Sequence, residues 1–321
     1  MNVKNITLLL SGVLLAFTAC KKEDDAVSPI VPEPVVGAIQ ADGALLSNFF
    51  SVNNSTATQS FTIDATTPMS ITGNKGTVIQ FFGNSFQDAS GNLVSGNIDV
   101  DLIEIYEKVD MLLLNKQTLG DNNGMLSPLI SGGEFKITAS QNGNDVSLIP
   151  GYNYNMMVQA PNGVDQNMQI FYQSSATADT LTWAQADSSL LFGTNGVYNG
   201  YFDSLGWVNC DYFMSQTGPQ TSVSVDLPAG LNNTNCSVFI SFDGLNSLTS
   251  IYNYSNGLFN TGSWYTLPVG LDVHFIALAF INNTPHVAIV PATITNNHLE
   301  TITALTATTP SQLTTDIQNL P

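Results

Sequence analysis

The chain has 321 residues, a formal net charge of −18 at pH 7, 43% hydrophobic residues and only 10% charged ones. Its basic residues are all lysine, at positions 4, 21, 22, 75, 108, 116 and 136, and no lysine or arginine follows Lys136. Such a chain offers no basic footprint for nucleic acid and no arginine fork for phosphate or carboxylate, so its polar surface is built from Asn, Thr, Ser and Gln.

At the N-terminus Lys4 precedes an apolar stretch from Ile6 to Ala16, followed by Phe17-Thr18-Ala19-Cys20. A basic start, a short apolar run and small residues before a cut are the parts of a secretory signal, and about 11 apolar residues are too few to span a bilayer. A signal peptide is expected over residues 1–19. Thr18-Ala19-Cys20 resembles a bacterial lipobox, with Phe17 where that family has an aliphatic residue. The resemblance implies diacylation at Cys20, palmitate-type chains anchoring the protein to a membrane through their buried CH₂ groups.

Cys20-Lys21-Lys22-Glu23-Asp24-Asp25 resembles the export signal of Bacteroidota surface lipoproteins, in which a lysine and two acids follow the lipidated cysteine. That resemblance implies an outer-membrane lipoprotein displayed at the cell surface, with Lys22, Glu23 and Asp24 as the signal. The alternative is a solvated charged tether facing the periplasm. Pro29, Pro32 and Pro34, then a Ser/Asn/Thr-rich stretch from Ser47 to Gln59, read as an extended tether over 20–58, stiff first and flexible later, with Ala44 to Phe50 as a short strand.

From residue 59 the apolar period is two. Ile98, Val100 and Leu102 alternate with Asp99 and Asp101, Phe135 and Ile137 with Glu134 and Lys136, and Val223 and Val225 with Ser222 and Ser224. Phe275 to Ile281 is continuously apolar, which predicts a central strand covered on both faces. Asp121-Asn122-Asn123-Gly124 and Asn142-Gly143-Asn144 are hairpin signals. Near the end, Thr309 as cap, Pro310 in the first turn and Leu313, Ile317 and Leu320 at helical spacing predict one short helix. The expectation is an all-β protein of two antiparallel sandwich-like domains, 59–165 and 198–321, joined by a connecting segment over 166–197, with that helix at the C-terminus.

Lys75-Gly76-Thr77, Phe81, Phe86, Asp88, Gly91, Val94, Gly96, Ile98, Val100 and Leu102 are similar to the strand-turn-strand of the β-sandwich shared by zonula occludens proteins and netrin receptors. That resemblance implies a protein-interaction or presentation module. Gly206-Trp207-Val208-Asn209-Cys210-Asp211 resembles a segment of uncharacterised Bacteroidota envelope proteins. Trp207 fills a core with Asn209 or Asp211 bonding a turn, or it is a stacking platform beside which Asn209 and Asp211 hold a sugar. Cys210 and Cys236 are either a disulfide, natural in an exported chain, or two buried thiols on neighbouring strands.

The remaining polar residues point to no chemistry. His274, His286 and His298 have no carboxylate at metal-ligand spacing, and Asp99, Asp101, Glu104, Glu107 and Asp110 read as a solvated face, with no calcium-loop pattern. No nucleophile elbow, zinc-protease, phosphate-loop or dinucleotide motif occurs, so no cofactor is expected. Asp179-Thr180-Leu181 and Asp203-Ser204-Leu205 resemble the Bacteroidota O-glycosylation pattern. The expected role is binding or envelope organisation without catalysis, with the membrane as one partner through Cys20 and a glycan or an envelope protein as another. Glycan capture requires exposure of Trp183, Trp207 or Trp264. A glycoside hydrolase requires two carboxylates facing each other across a cleft.

Overall fold

The computed structural model describes residues 38–161, 163–174, 182–187 and 190–321. The signal segment, Cys20, Lys22, Glu23, Asp24 and the Asp179-Thr180-Leu181 pattern lie outside the described residues.

The described chain is mostly β, as its period-two patterning predicts. One sheet runs, strand by strand, Gln59–Asp64, Asn97–Ile105, Met125–Gln141, Gly206–Phe213, Gln169–Gln173, Trp183–Gln185 and Leu119–Asn122. It faces a second sheet of Leu191–Thr194, Val197–Phe202, Tyr154–Gln159, Val78–Phe81 and Met69–Thr72. Between them lies a core that includes Ile79, Val100, Phe135, Tyr154, Phe202 and Val208. Alternation dictates this face: Ile98, Val100 and Leu102 point into the core while Asp99 and Asp101 accept from Thr62 and Ser60 on the neighbouring strand, at 2.8 and 2.6 Å.

The second sandwich pairs Leu248–Ser250, Cys236–Phe242, Asp272–Ile281, Thr284–Thr293 and Thr306–Ala307 in one sheet. Asn253–Ser255, Leu258–Asn260, Val223–Asp226 and His298–Thr301 form the other. The strand Asp272–Ile281 is central and covered on both faces. Phe275, Ala277 and Ala279 enter the sandwich core, while Ile276 and Leu278 enter a third apolar layer on the outer face. The hairpin turns form where expected, with Asn123 and Gly124 at φ 56 and 89° and Asn142 and Gly143 at 53 and 77°.

The third layer holds the helices, and here the sequence reading needs correction. Three helices occur among the described residues: α1 (Gly43–Ala57), α2 (Lys108–Leu113) and α3 (Pro310–Gln318). The C-terminal α3 is as expected, with Thr309 Oγ1 accepting from Gln312 N at 3.1 Å and Leu313 and Ile317 buried. The helix α1 replaces both the flexible end of the tether and the expected strand at 44–50. Asp42 caps it, accepting from Ala44 N and Leu45 N at 2.9 and 3.0 Å, and Leu46 and Phe50, one turn apart, are buried in the third layer. Tertiary packing of these apolar side chains overrides the poor helix propensity of the Ser/Asn/Thr-rich segment.

The chain also crosses the expected domain boundary. Gly206–Phe213, assigned above to the C-terminal domain, pairs with Met125–Gln141 and Gln169–Gln173 in the first sheet, and the expected connecting segment supplies three strands itself. The two sandwiches are then bonded to each other through buried polar groups. Ser250 N donates to Gln117 Oε1 at 2.9 Å, Leu248 N to Thr118 Oγ1 at 3.0 Å, and Asn246 Nδ2 to the carbonyls of Tyr106 and Ser131, both at 2.8 Å. Residues 38–321 accordingly form one compact unit.

Candidate functional site

Trp207, Asn209 and Asp211 alternate on one strand and share a face, the face turned towards the third layer and away from the first core. Opposite them a β-bulge lets Ser131 pair with Asp211 while Glu134, three residues later, pairs with Asn209. The bulge is built from Gly132 and Gly133, the latter at φ 143°, and a Cβ at Gly132 would stand 2.9 Å from the Cys210 carbonyl. The local sequence Ser-Gly-Gly-Glu therefore aims two polar side chains of one strand at the same side.

The result is a sealed polar cluster. Glu134, Asn209 and Asp211 are fully buried. Asn209 Nδ2 donates to Asp211 Oδ2 at 2.8 Å, and Asp211 also accepts from Ser131 and the Gly132 N–H. Neither oxygen of Glu134 has a hydrogen-bond partner among the described residues. Burial, then the neighbouring Asp211, pushes the Glu134 carboxyl well above its ordinary range, with Lys116 opposing. Burial raises Asp211 too, against the bonds that favour its ionised form. Burial and mutual repulsion thus favour the protonated form across this pair. Above it, the Lys116 and Lys136 ammonium groups sit 5.0 and 6.0 Å from the centroid of the half-buried Trp207 ring, and Trp183 meets that ring edge-on at 6.5 Å.

This geometry corrects the reading of Trp207, Asn209 and Asp211 as a sugar site. The two polar side chains have no exposed surface, and lysines occupy the ring face that a sugar would need. Nor can a substrate reach the Glu134–Asp211 pair. Trp183 is likewise fully buried, its Nε1 donating to the Gln117 carbonyl at 2.8 Å.

The cysteines are corrected as well. Both are buried and free, Cys210 in the core of the first sandwich and Cys236 in that of the second, so no disulfide links them. Burial pushes the Cys236 thiol up to about 12 and raises Cys210 further.

The other candidates have structural roles. Glu104 is buried and accepts from Gln59 Nε2, Lys75 N and Thr77 N at 2.9, 2.9 and 3.1 Å. Asp110 caps α2 through Tyr106 N and Glu107 N and pairs with Lys75. The histidines stand apart, His274 against Asp243 at 2.7 Å, His286 against the Thr284 carbonyl, and His298 stacked on Phe275. Among the described residues no group of three acids, histidines or cysteines is placed to hold a metal.

Among the clefts open to solvent is one of about 380 Å³ between α1 and the second sandwich. Leu46 and Phe50 of α1 form one wall, and Val238, Ile251 and Phe259 line the rest of its apolar surface. Ser47, Asn115, Asn233, Thr234, Ser237 and Ser250 supply its polar groups, and no lining residue is acidic, basic or histidine. Gly43 makes the cleft possible, because a Cβ there would lie 2.0 Å from the Thr234 carbonyl oxygen and push α1 away. Tyr252 belongs to the cleft and also pairs with Trp264, the ring centroids 6.2 Å apart at 59°. Trp264 is 53% exposed. Of the three tryptophans singled out by sequence, it alone presents an open ring. Tyr252 and α1 were missed, although Asp42 followed by Leu46 and Phe50 is a legible cap and stripe. The volume is within the usual range for small-ligand sites. Neither a known protein family nor a curated protein matches this chain.

Proposed function

We propose that this chain is a lipid-anchored protein of the cell envelope, held to the outer membrane by acyl chains on Cys20, displayed at the cell surface through Lys22, Glu23 and Asp24, and working by binding without catalysis. Supporting the address are the apolar run, the Thr18-Ala19-Cys20 resemblance to a lipobox and the Lys-Lys-Glu-Asp-Asp sequence that follows it. At −18 the chain repels anionic head groups, so the lipid must supply the membrane affinity.

The observation that carries the binding role is the neutral lining of the α1 cleft. The Glu134–Asp211 pair is sealed, while the α1 cleft is lined by neutral groups and its one thiol, Cys236, is held in the unreactive protonated form. A neutral, pre-formed cleft can select a ligand by shape and hydrogen bonds but supplies no acid, base or nucleophile at neutral pH.

Metabolic labelling with radioactive palmitate tests the anchor. The natural chain should take up label and partition into detergent, and Cys20→Ala should do neither. Equal labelling of both chains, or labelling of neither, would defeat the anchor.

A further inference from the structure

We infer that the α1 cleft, extended by Tyr252 and Trp264, is a binding site for a neutral glycan; this rests on the binding role proposed above and names its ligand class. The Trp264 ring is exposed, yet its backbone is fixed: Trp264 N donates to the Thr261 carbonyl at 3.1 Å and its own carbonyl accepts from Leu126 N at 3.2 Å. An exposed ring on a fixed backbone offers its electron-rich face to the C–H groups of a sugar, with only side-chain rotation left to order.

Beside the ring, a bare surface leads to hydrogen-bonding groups. A Cβ built on Gly262 would stand 3.2 Å from both Asn253 Nδ2 and Asn260 Oδ1 and 3.6 Å from Trp264 Cδ1, so the glycine keeps the ground between ring and amides open. The amides are held in place by each other, Asn253 Nδ2 donating to Asn260 Oδ1 and Asn260 Nδ2 to Ser255 Oγ at 3.0 Å. That leaves the Asn253 carbonyl oxygen and second amide hydrogen for hydroxyl groups.

Charge selects among glycans. The cleft walls are uncharged, and no lysine or arginine occurs anywhere after Lys136 to compensate a uronate, sulfate or phosphate. In a chain of net charge −18 an anionic polymer is repelled, which leaves a neutral one.

The test is affinity electrophoresis of the detergent-solubilised full-length protein through gels containing soluble β-glucan, xylan, mannan or starch, with polygalacturonate as the anionic probe. Retardation is expected by at least one neutral polymer and not by polygalacturonate. The same polymer should protect tryptophan fluorescence from acrylamide quenching. Trp264→Ala should weaken retardation at least tenfold at unchanged melting temperature, Trp264→Phe less, and Phe192→Ala, on another exposed surface, not at all. Retardation by none of the neutral polymers, by polygalacturonate alone, or equally in Trp264→Ala would overturn the assignment. Palmitate labelling and surface accessibility of Trp264→Ala stay those of the natural chain, so loss of glycan binding and failure of the anchor are read separately.

Discussion

Glu134 and Asp211 lie on adjacent antiparallel strands with no solvent access, Asp211 bonded by Asn209 and Ser131 and Glu134 bonded by nothing among the described residues. Two carboxyls in such a place hold a proton that the unfolded chain releases at ordinary values near about 4. The stability they contribute is complete below that range and declines as pH rises towards their raised native values. Urea midpoints should therefore be higher at pH 5.5 than at pH 8.5. Glu134→Gln should flatten that slope and raise stability at pH 8.5 by about 1–3 kcal/mol, because the amide requires no proton uptake on folding. A slope unchanged in Glu134→Gln would contradict the assignment.

The two thiols give a redox prediction. A bridge across residues 210 to 236 would contribute roughly 3 kcal/mol, so its reduction would lower the melting temperature visibly. With Cys210 and Cys236 free in separate cores, dithiothreitol should leave the melting temperature of the Cys20→Ala chain unchanged. Thiol titration should count no reactive sulfur in the folded protein and two after denaturation.

Helix α1 is part of the folded body, which truncation or substitution can check. Asp42→Ala removes the cap and should cost about 1 kcal/mol. Leu46→Ala, at a buried position of the third layer, should cost about 2–5 kcal/mol. If residues 38–58 were a tether, both variants would melt with the natural chain.

Trp183 combines a fully buried ring with one hydrogen bond, to the Gln117 carbonyl, in the segment that joins the sandwiches. Trp183→Phe keeps most of the apolar volume and removes that buried hydrogen bond, for an expected loss of about 1–3 kcal/mol. Trp183→Ala adds a cavity and should lose about 3–5 kcal/mol. Denaturant midpoints of the two variants separate the hydrogen bond from the packing.

The strands were legible because alternation is local: Asn97–Ile105 and Asp272–Ile281 declare their buried faces residue by residue. Their partners were not. Gly206–Phe213 follows a recognisable turn-rich stretch, yet its pairing with Met125–Gln141 joins residues about seventy apart, and no local pattern encodes such a register. The same distance hid the bulge, so Asn209 and Asp211 read as bonding a turn or holding a sugar when both are in fact fully buried. Helix α1 was masked by composition, its Ser, Asn and Thr residues outweighing Leu46 and Phe50. Trp264 was identified from sequence as one of three candidate rings, but only packing decides which ring stays open.

Protease shaving of intact cells tests the central claim most directly, comparing the natural chain with Lys22→Ala/Glu23→Ala/Asp24→Ala. A lipoprotein displayed at the surface loses its folded body to external protease, and the variant, still labelled with palmitate, is protected. Protection of both chains would place the protein in the periplasm and contradict surface display.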